Sequence, residues 1–264
     1  MFCNVLCLKR NEGSVLKNMF INPREALASL LNQNEALKEL EIIISSRALK
    51  SDEAIGHPER EDFPLLRGKE VLLQAEVPGG RGQAFTADPI AYKGPISDLL
   101  TLSDDRPGSQ ALLVASLNAL FNKLGLAGHT VHCVDHEPEA CAEHISQYIL
   151  EKYGLCNIGI IGYQPAILEH CTRLFGPDRV SITDLDADVV GTVRYGVKVM
   201  DGLSDTRTLV DFADVLLVTG TILANGTYRD VLGEAGDKPC YFFGTTCAAL
   251  ARLNNMSRLC PFSR

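Results

Sequence analysis

The hydrophobic positions change their spacing near the middle of the chain. Asn22-Pro23-Arg24-Glu25 combines an N-cap residue, a proline at the first helical position and a capping-box glutamate. Leu27, Leu30 and Leu31, then Leu37 and Leu40, continue it as an intermittent helical stripe. Ile42-Ile43-Ile44 precedes a polar stretch, Ser51 to Asp62, which reads as a loop. Val71–Val77 reads as a strand, Pro78-Gly79-Gly80-Arg81-Gly82 as a turn, and Gln83–Thr86 as the start of a returning strand. A second helix is predicted from about Ser109 to Lys123, carrying Leu112, Leu113, Leu117, Leu120 and Phe121. These elements predict an α+β fold for residues 20–132.

Beyond that the elements alternate. A helix from about Pro138 to Tyr153 ends at Gly154, with Cys141, Ile145, Tyr148 and Ile149 on one face. Short apolar runs follow at Ile158–Ile161, Val180–Thr183, Val215–Val218 and Pro239–Phe243, most of them separated by helix-length segments. Strand and helix in alternation imply a mainly parallel sheet with right-handed crossovers, so residues 133–264 are predicted to form a Rossmann-like α/β domain. Residues 1–19 carry no helical pattern and are expected to be a disordered leader. They are apolar before they are basic, the reverse of a secretory signal.

Length supports the division, because 264 residues favour two domains over one. The apolar fraction of 46% is that of a globular protein, and no apolar run approaches the length of a membrane span. A net charge of −8 argues against nonspecific nucleic-acid binding and against adhesion to an anionic membrane. The nine cysteines are odd in number and scattered without a CxxC pair, which excludes a secreted disulfide framework and fits a reduced, cytoplasmic setting. The expected partner is a small-molecule or metal ligand, and a homo-oligomer stays open.

Candidate chemistry gathers where the predicted parallel strands end, since ligands of open α/β sheets collect beyond the carboxyl ends of the strands. After Val215–Val218 come Thr219, Gly220, Thr221, Asn225, Gly226 and Thr227. Asn225 suits an N-cap, Gly220 and Gly226 allow a ligand near the backbone, and the hydroxyls complete a lip for an anionic or polar ligand. The same residues also suit an ordinary strand–loop–helix turn. Gly162 and Gln164 follow the first strand, Asp184 and Asp186 the second, and Gly244 and Thr245 the last, so these loops converge on one edge. Asp184 stands where a dinucleotide fold holds a ribose, but the full G-x-G-x-x-G is absent. Capping of a turn is the plainer role for Asp184 and Asp186.

His132 and Cys133 are the candidate metal ligands, for a divalent or heavy metal ion. Adjacent residues on an extended segment point opposite ways, so only one of them is expected at a given site, with a second ligand from the other domain. Cys141, on an apolar helix face, is expected to be packed. Pro78–Thr86 suits a hairpin turn, or a glycine-rich loop over the crevice with Arg81 as an anion contact. No H-E-x-x-H, G-x-S-x-G or Ser/His/Asp arrangement stands in a recognisable context. Two readings follow: binding of a small anionic ligand, metal or metal complex without chemistry, or an enzyme acting on a nucleotide-like or chelate-type molecule with Asp184 or Asp186 as acid/base. The enzyme reading calls for a crevice carboxylate with a perturbed pKa or a partner.

Several stretches together resemble a family of uncharacterised prokaryotic proteins whose carboxyl half is named for heavy-metal chelation. They are Gly82–Thr86, Ala115–Ala119, His132-Cys133 through Cys141, Gly162–Ala166, Thr183–Asp186, Thr219–Thr227 and Cys260-Pro261-Phe262. The resemblance spans residues 20–264 and implies an enolase-N-like α+β domain followed by a Rossmann-like domain. It implies no catalytic residue, and fold likeness does not fix function.

Overall fold

The computed structural model describes residues 20–44, 49–68, 70–103 and 106–264. The expected leader at 1–19, with Cys3 and Cys7, lies outside them. The first helix, α1 (Pro23–Gln33), starts as its sequence dictates: the Asn22 side chain accepts from Glu25 N and the Glu25 carboxylate accepts from Asn22 N. After β1 (Glu41–Ile44), α2 (Ser51–Ile55) and α3 (Pro64–Arg67) come β2 (Val71–Val77), β3 (Gly80–Thr86) and β4 (Tyr92–Pro95). The strands form an antiparallel sheet of order β3-β2-β1-β4. Pairing of Val77 with Gly80 leaves Pro78-Gly79 as a two-residue hairpin turn. Ser51–Ile55 is a short helix inside the stretch expected to be a loop, and Ala54 and Ile55 are its buried residues.

Helix α4 (Pro107–Lys123) follows, then α5 (Glu137–Tyr153), β5 (Ile158–Ile161), α6 (Pro165–Phe175), β6 (Val180–Asp184), β7 (Val193–Arg194) and β8 (Val197–Asp201). The chain closes with α7 (Thr206–Phe212), β9 (Val215–Thr219), α8 (Ile222–Asn225), α9 (Tyr228–Ala235), β10 (Cys240–Phe243), α10 (Ala248–Leu253) and β11 (Ser257–Arg258). Seven of these strands make the second sheet, β11-β10-β9-β5-β6-β8-β7, parallel except for the β7–β8 hairpin. Its central strands β5 and β9 are buried on both faces from Ile158 to Ile161 and from Val215 to Val218, as covered parallel strands must be. The chain is thus an α/β protein with an antiparallel sheet and a mostly parallel sheet flanked by helices. The division expected at 132/133 falls in the segment between α4 and α5.

The β7–β8 hairpin was not anticipated from the hydrophobic runs. Its turn residues Tyr195 and Gly196 both have positive φ, 50° and 82°, the geometry of a tight two-residue hairpin. Valines at 193, 197 and 199 around a Tyr-Gly pair were the available signal.

Helix α4 lies between the small sheet and helices α8 and α10 of the large layer. From Gly108 to Phe121 only Gln110 escapes burial, so α4 is apolar nearly all round and has no wet face. Two glycines of β3 let it come close. A Cβ on Gly80 would stand 2.3 Å from Ala119 O, and one on Gly82 would stand 2.2 Å from Ala119 N. Gly80-Arg81-Gly82 is therefore strand backbone against a helix, not a phosphate loop, and Arg81 does not reach the crevice. One continuous hydrophobic core joins α1, the small sheet and α4 to β9, α8 and α10. A second lies on the other face of the large sheet under α5 and α6, and Ile55, Phe63 and Leu72 of the first half reach into it.

Asn118 is the polar centre of α4 and is fully buried. Its Nδ2 donates to Gln83 O at 2.9 Å, Thr246 O at 3.1 Å and Thr245 O at 3.2 Å, and its Oδ1 accepts from Ala249 N at 2.9 Å. Gln83 carries the network outward: Nε2 donates to Gln74 Oε1 at 2.7 Å and Oε1 accepts from His132 N at 2.7 Å.

Gly220 is constrained by packing. Its N–H donates to Phe243 O at 2.8 Å, and a Cβ would lie 2.8 Å from Cys247 N and 3.0 Å from the Cys247 sulfur.

Two stability predictions follow from these contacts. Asn118→Ala strands buried backbone groups on both sides of α4 and should lower unfolding free energy in urea by about 3 kcal/mol; a loss under about 1 kcal/mol would show that water or relaxation replaces the amide. Gly220→Val should cost about 1–3 kcal/mol through the collision with Cys247, and an unchanged melting temperature would show that the start of α10 can move away.

Candidate functional site

The carboxyl ends of β5, β6, β9 and β10 open together, and facing segments of the first half enclose the space above them. The result is a cleft of about 1190 Å³. Gly162, Gln164, Asp184, Asp186, Thr219, Gly220, Thr221, Asn225, Thr227 and Gly244 all line it, as do His132 and Cys133. The first half adds Phe63, Arg67, Glu70 and Phe85. Gly226 and Thr245 are absent from the lining. Gly226 is the left-handed residue that ends α8, at φ 86°, while Thr245 is fully buried and hands its carbonyl to Asn118.

Most of the polar loop groups already have partners within the protein. Gln164 caps α6, its Oε1 accepting from Ile167 N at 2.6 Å. Asp184 accepts from Tyr163 N and from Asp186 N, the latter at 2.7 Å, which ties the end of β5 to the loop after β6. Asp186 accepts from Asp188 N at 3.0 Å. Capping of turns is thus what these carboxylates do in this structure, and the N–H groups of Gly162, Tyr163 and Ile167 after β5 already have partners. The Thr219 and Thr221 hydroxyls bond each other at 2.5 Å. Asn225 is not an N-cap: it is the last residue of α8, and its Oδ1 accepts from Thr227 N at 3.1 Å and Thr227 Oγ1 at 2.8 Å. A one-turn helix of four residues supplies no anion site of its own.

The residue that sequence reasoning missed is Glu70, just ahead of β2. It is half-buried in the cleft lining. Burial, reinforced by the charges of Asp184 and Asp186, pushes its carboxyl up to about 7. The perturbed crevice carboxylate called for by the enzyme reading therefore exists, but it comes from the first half and is neither Asp184 nor Asp186. Arg67 approaches Asp186 at 3.6 Å and Asp188 at 3.7 Å, bridging the two halves at the same wall. Nothing local distinguishes Glu70 in the sequence, because its neighbours Asp184 and Asp186 are more than a hundred residues away.

His132 and Cys133 both line the cleft, and residues 132–134 are irregular, not an extended strand, with the left-handed residues His129 and Asp135 on either side. The His132 ring stands edge-on to Phe85 with centroids 5.5 Å apart, its Nδ1 is buried without a partner, and burial holds the imidazole below its usual range. Cys141 and Cys260 line the cleft as well, and both are free thiols. Among the described residues no group of three or more His, Cys, Asp and Glu side chains has the arrangement to hold a metal ion. Among them, too, no helix is long and apolar enough to cross a membrane.

No family model matches the chain, and no curated protein matches it. Similar solved structures do exist. One is a DUF364-family protein of unknown function from Pyrococcus horikoshii, 13% identical, with a TM-score of 0.51 over 86% of this chain and 80% of that one. Another is a DUF364-family protein of unknown function from Desulfitobacterium hafniense DCB-2, 13% identical, with a TM-score of 0.49 over 70% of this chain and 72% of that one. The Pyrococcus horikoshii structure shares the α/β fold, and that is the extent of what it establishes. Neither structure carries the heavy-metal designation of the sequence resemblance.

Proposed function

We propose that the cleft between the two sheets binds a small polar molecule, with Glu70 as the group that exchanges a proton with it. The observation that supports this reading is the burial of Glu70 in an enclosed space lined by both halves, near the charges of Asp184 and Asp186, which together push its carboxyl up to about 7. A carboxyl poised near 7 accepts a proton from a bound group or donates one to it with little penalty either way. The three carboxylates also define what the ligand presents at this wall: hydroxyl or amine hydrogens, not an anion. An anionic group would sit at another part of the cleft, where Arg229 contributes to the lining. This narrows the expectation of a small anionic ligand or metal complex.

A second reading has the same support. If the bound molecule carries an acidic C–H or O–H next to Glu70, the cleft is the active site of a proton-transfer enzyme acting on a nucleotide-like or chelate-type molecule. Turnover distinguishes the two readings; the geometry of Glu70 is shared by both.

The pH dependence has a definite sign. Glu70 holds its proton in the folded chain up to about pH 7, whereas an unfolded glutamate releases it near pH 4. Between those values the folded state binds more protons, so the contribution of Glu70 to stability is present at low pH and is lost as pH rises through 7. Glu70→Gln should therefore melt at a higher temperature than the parent at pH 8 and converge with it toward about pH 4. Parallel melting curves across that range would place the carboxyl at an ordinary pKa.

For binding, thermal-shift screens of small polar metabolites, nucleotides, Mg²⁺ and Zn²⁺ at pH 6 and pH 8 should return at least one compound stabilising the parent. The same compound should lose affinity on the order of tenfold in Glu70→Gln, the weight of one charge-assisted hydrogen bond. Hits whose affinity is indifferent to Glu70 would retire the proposal.

A further inference from the structure

The register of the small sheet sets Glu70 beside an aromatic ring. Strands β2 and β3 pair Leu72 with Phe85 and Leu73 with Ala84. Side chains alternate across a strand. Leu73 and Ala84 therefore face α4, together with Gly80 and Gly82, while Leu72 and Phe85 face the other way, toward the second core. Two residues back from Leu72, the same alternation puts Glu70 on that second face, a diagonal neighbour of Phe85 at about 7–8 Å. Both residues line the cleft.

Phe85 is held from two sides. Its N–H donates to Thr246 Oγ1 at 3.1 Å, which ties it to the loop after β10, and its ring meets the His132 ring at 74° with centroids 5.5 Å apart. His132 is fixed in turn, because its N–H donates to Gln83 Oε1 at 2.7 Å. Phe85 is half-buried and so turns part of its ring to the cleft, whose wall continues through the buried side chains Ile55, Phe63, Ile145 and Phe243. Polar groups of a ligand would lose water against such a wall without gaining partners, whereas an apolar ring fits it.

We propose that the ligand of this cleft is an aminated nitrogen heteroaromatic, with its ring against Phe85 and its N–C–NH2 edge on the Glu70 carboxyl. This rests on the reading of Glu70 as the proton-exchanging group and names the other partner in the exchange. The two oxygens of a carboxyl match a ring nitrogen and the amine next to it. The Glu70 proton passes to the ring nitrogen: the O–H bond breaks as the N–H bond forms, and no other bond changes. The carboxylate then accepts from that N–H and from the amine, two charge-assisted hydrogen bonds side by side. The ring that has gained the proton is a cation, and the charges of Asp184 and Asp186, which disfavour an ionised Glu70 in the empty cleft, favour that cation.

The test titrates the full chain by calorimetry at pH 6 with 2-aminoquinoline, quinoline and 2-aminonaphthalene, with adenine beside purine, and with cyclohexylamine and myo-inositol. The expected result is binding of 2-aminoquinoline or adenine, weakened on the order of tenfold when the amine or the ring nitrogen is removed. Phe85→Leu keeps an apolar side chain but loses the ring face, and should weaken the aminated ring on the order of tenfold. Glu70→Gln made in that background should still differ from it in melting temperature at pH 8, because the surroundings of Glu70 are kept. Failure of both aminated rings to bind overturns the inference; if cyclohexylamine or myo-inositol binds instead and depends on Glu70, the reading of Glu70 survives that failure. Aminated rings that bind Glu70→Gln as tightly as the parent overturn both. Quinoline equal to 2-aminoquinoline, a comparison that needs no variant, or unchanged affinity in a folded Phe85→Leu, also overturns the inference.

Discussion

The buried amide of Asn118 joins the two halves of this protein. A helix with no wet face can sit between two sheets, but apolar packing alone does not set its rotation or its register. Asn118 does, because its four hydrogen-bond partners lie on β3, on the loop after β10 and at the start of α10. Thr245 O also accepts from Ala248 N, so it is chiefly Gln83 O, Thr246 O and Ala249 N that would lose their partner, at about 1–3 kcal/mol apiece. Gly80 and Gly82 make the approach sterically feasible. Three stretches of the sequence resemblance, Gly82–Thr86, Ala115–Ala119 and His132-Cys133, meet physically in this one network through Gln83.

The cleft is a consequence of that arrangement. With α4 clamping the small sheet against the large layer, Phe63, Arg67 and Glu70 face the carboxyl ends of β5 and β6. The loops at those ends are not loose: Asp184, Gln164 and the Thr219–Thr221 pair spend their polar groups on one another and on nearby backbone. Such loops form a rigid floor, and the group left with an unsettled proton is Glu70, which the first half delivers into their field. The chain's end comes back across residues 129–137, where Arg264 pairs with Val131 and Glu137 and Arg258 with His129.

Local chemistry made much of the fold legible. The capping box at Asn22–Glu25, the β2–β3 hairpin, and the buried strands Ile158–Ile161 and Val215–Val218 each carry their signal within a few residues. From these, an α/β chain with a parallel carboxyl half followed, and so did the convergence of its loops on one edge. The β7–β8 hairpin escaped because its signal is turn chemistry, not an apolar run. Asn225 was given the wrong reason for its identity, since it ends α8 and does not cap its start. A glycine that avoids Cys247 looks, in sequence, the same as one that admits a ligand.

The sequence by itself determined which segments are helix, which are buried strand, and therefore which loops share an edge, because periodicity and capping act over one or two turns of chain. Tertiary structure alone decided what those loops do. Whether a carboxylate caps a turn or titrates near neutrality depends on its desolvation and on charges distant in sequence, as Glu70 shows beside Asp184 and Asp186.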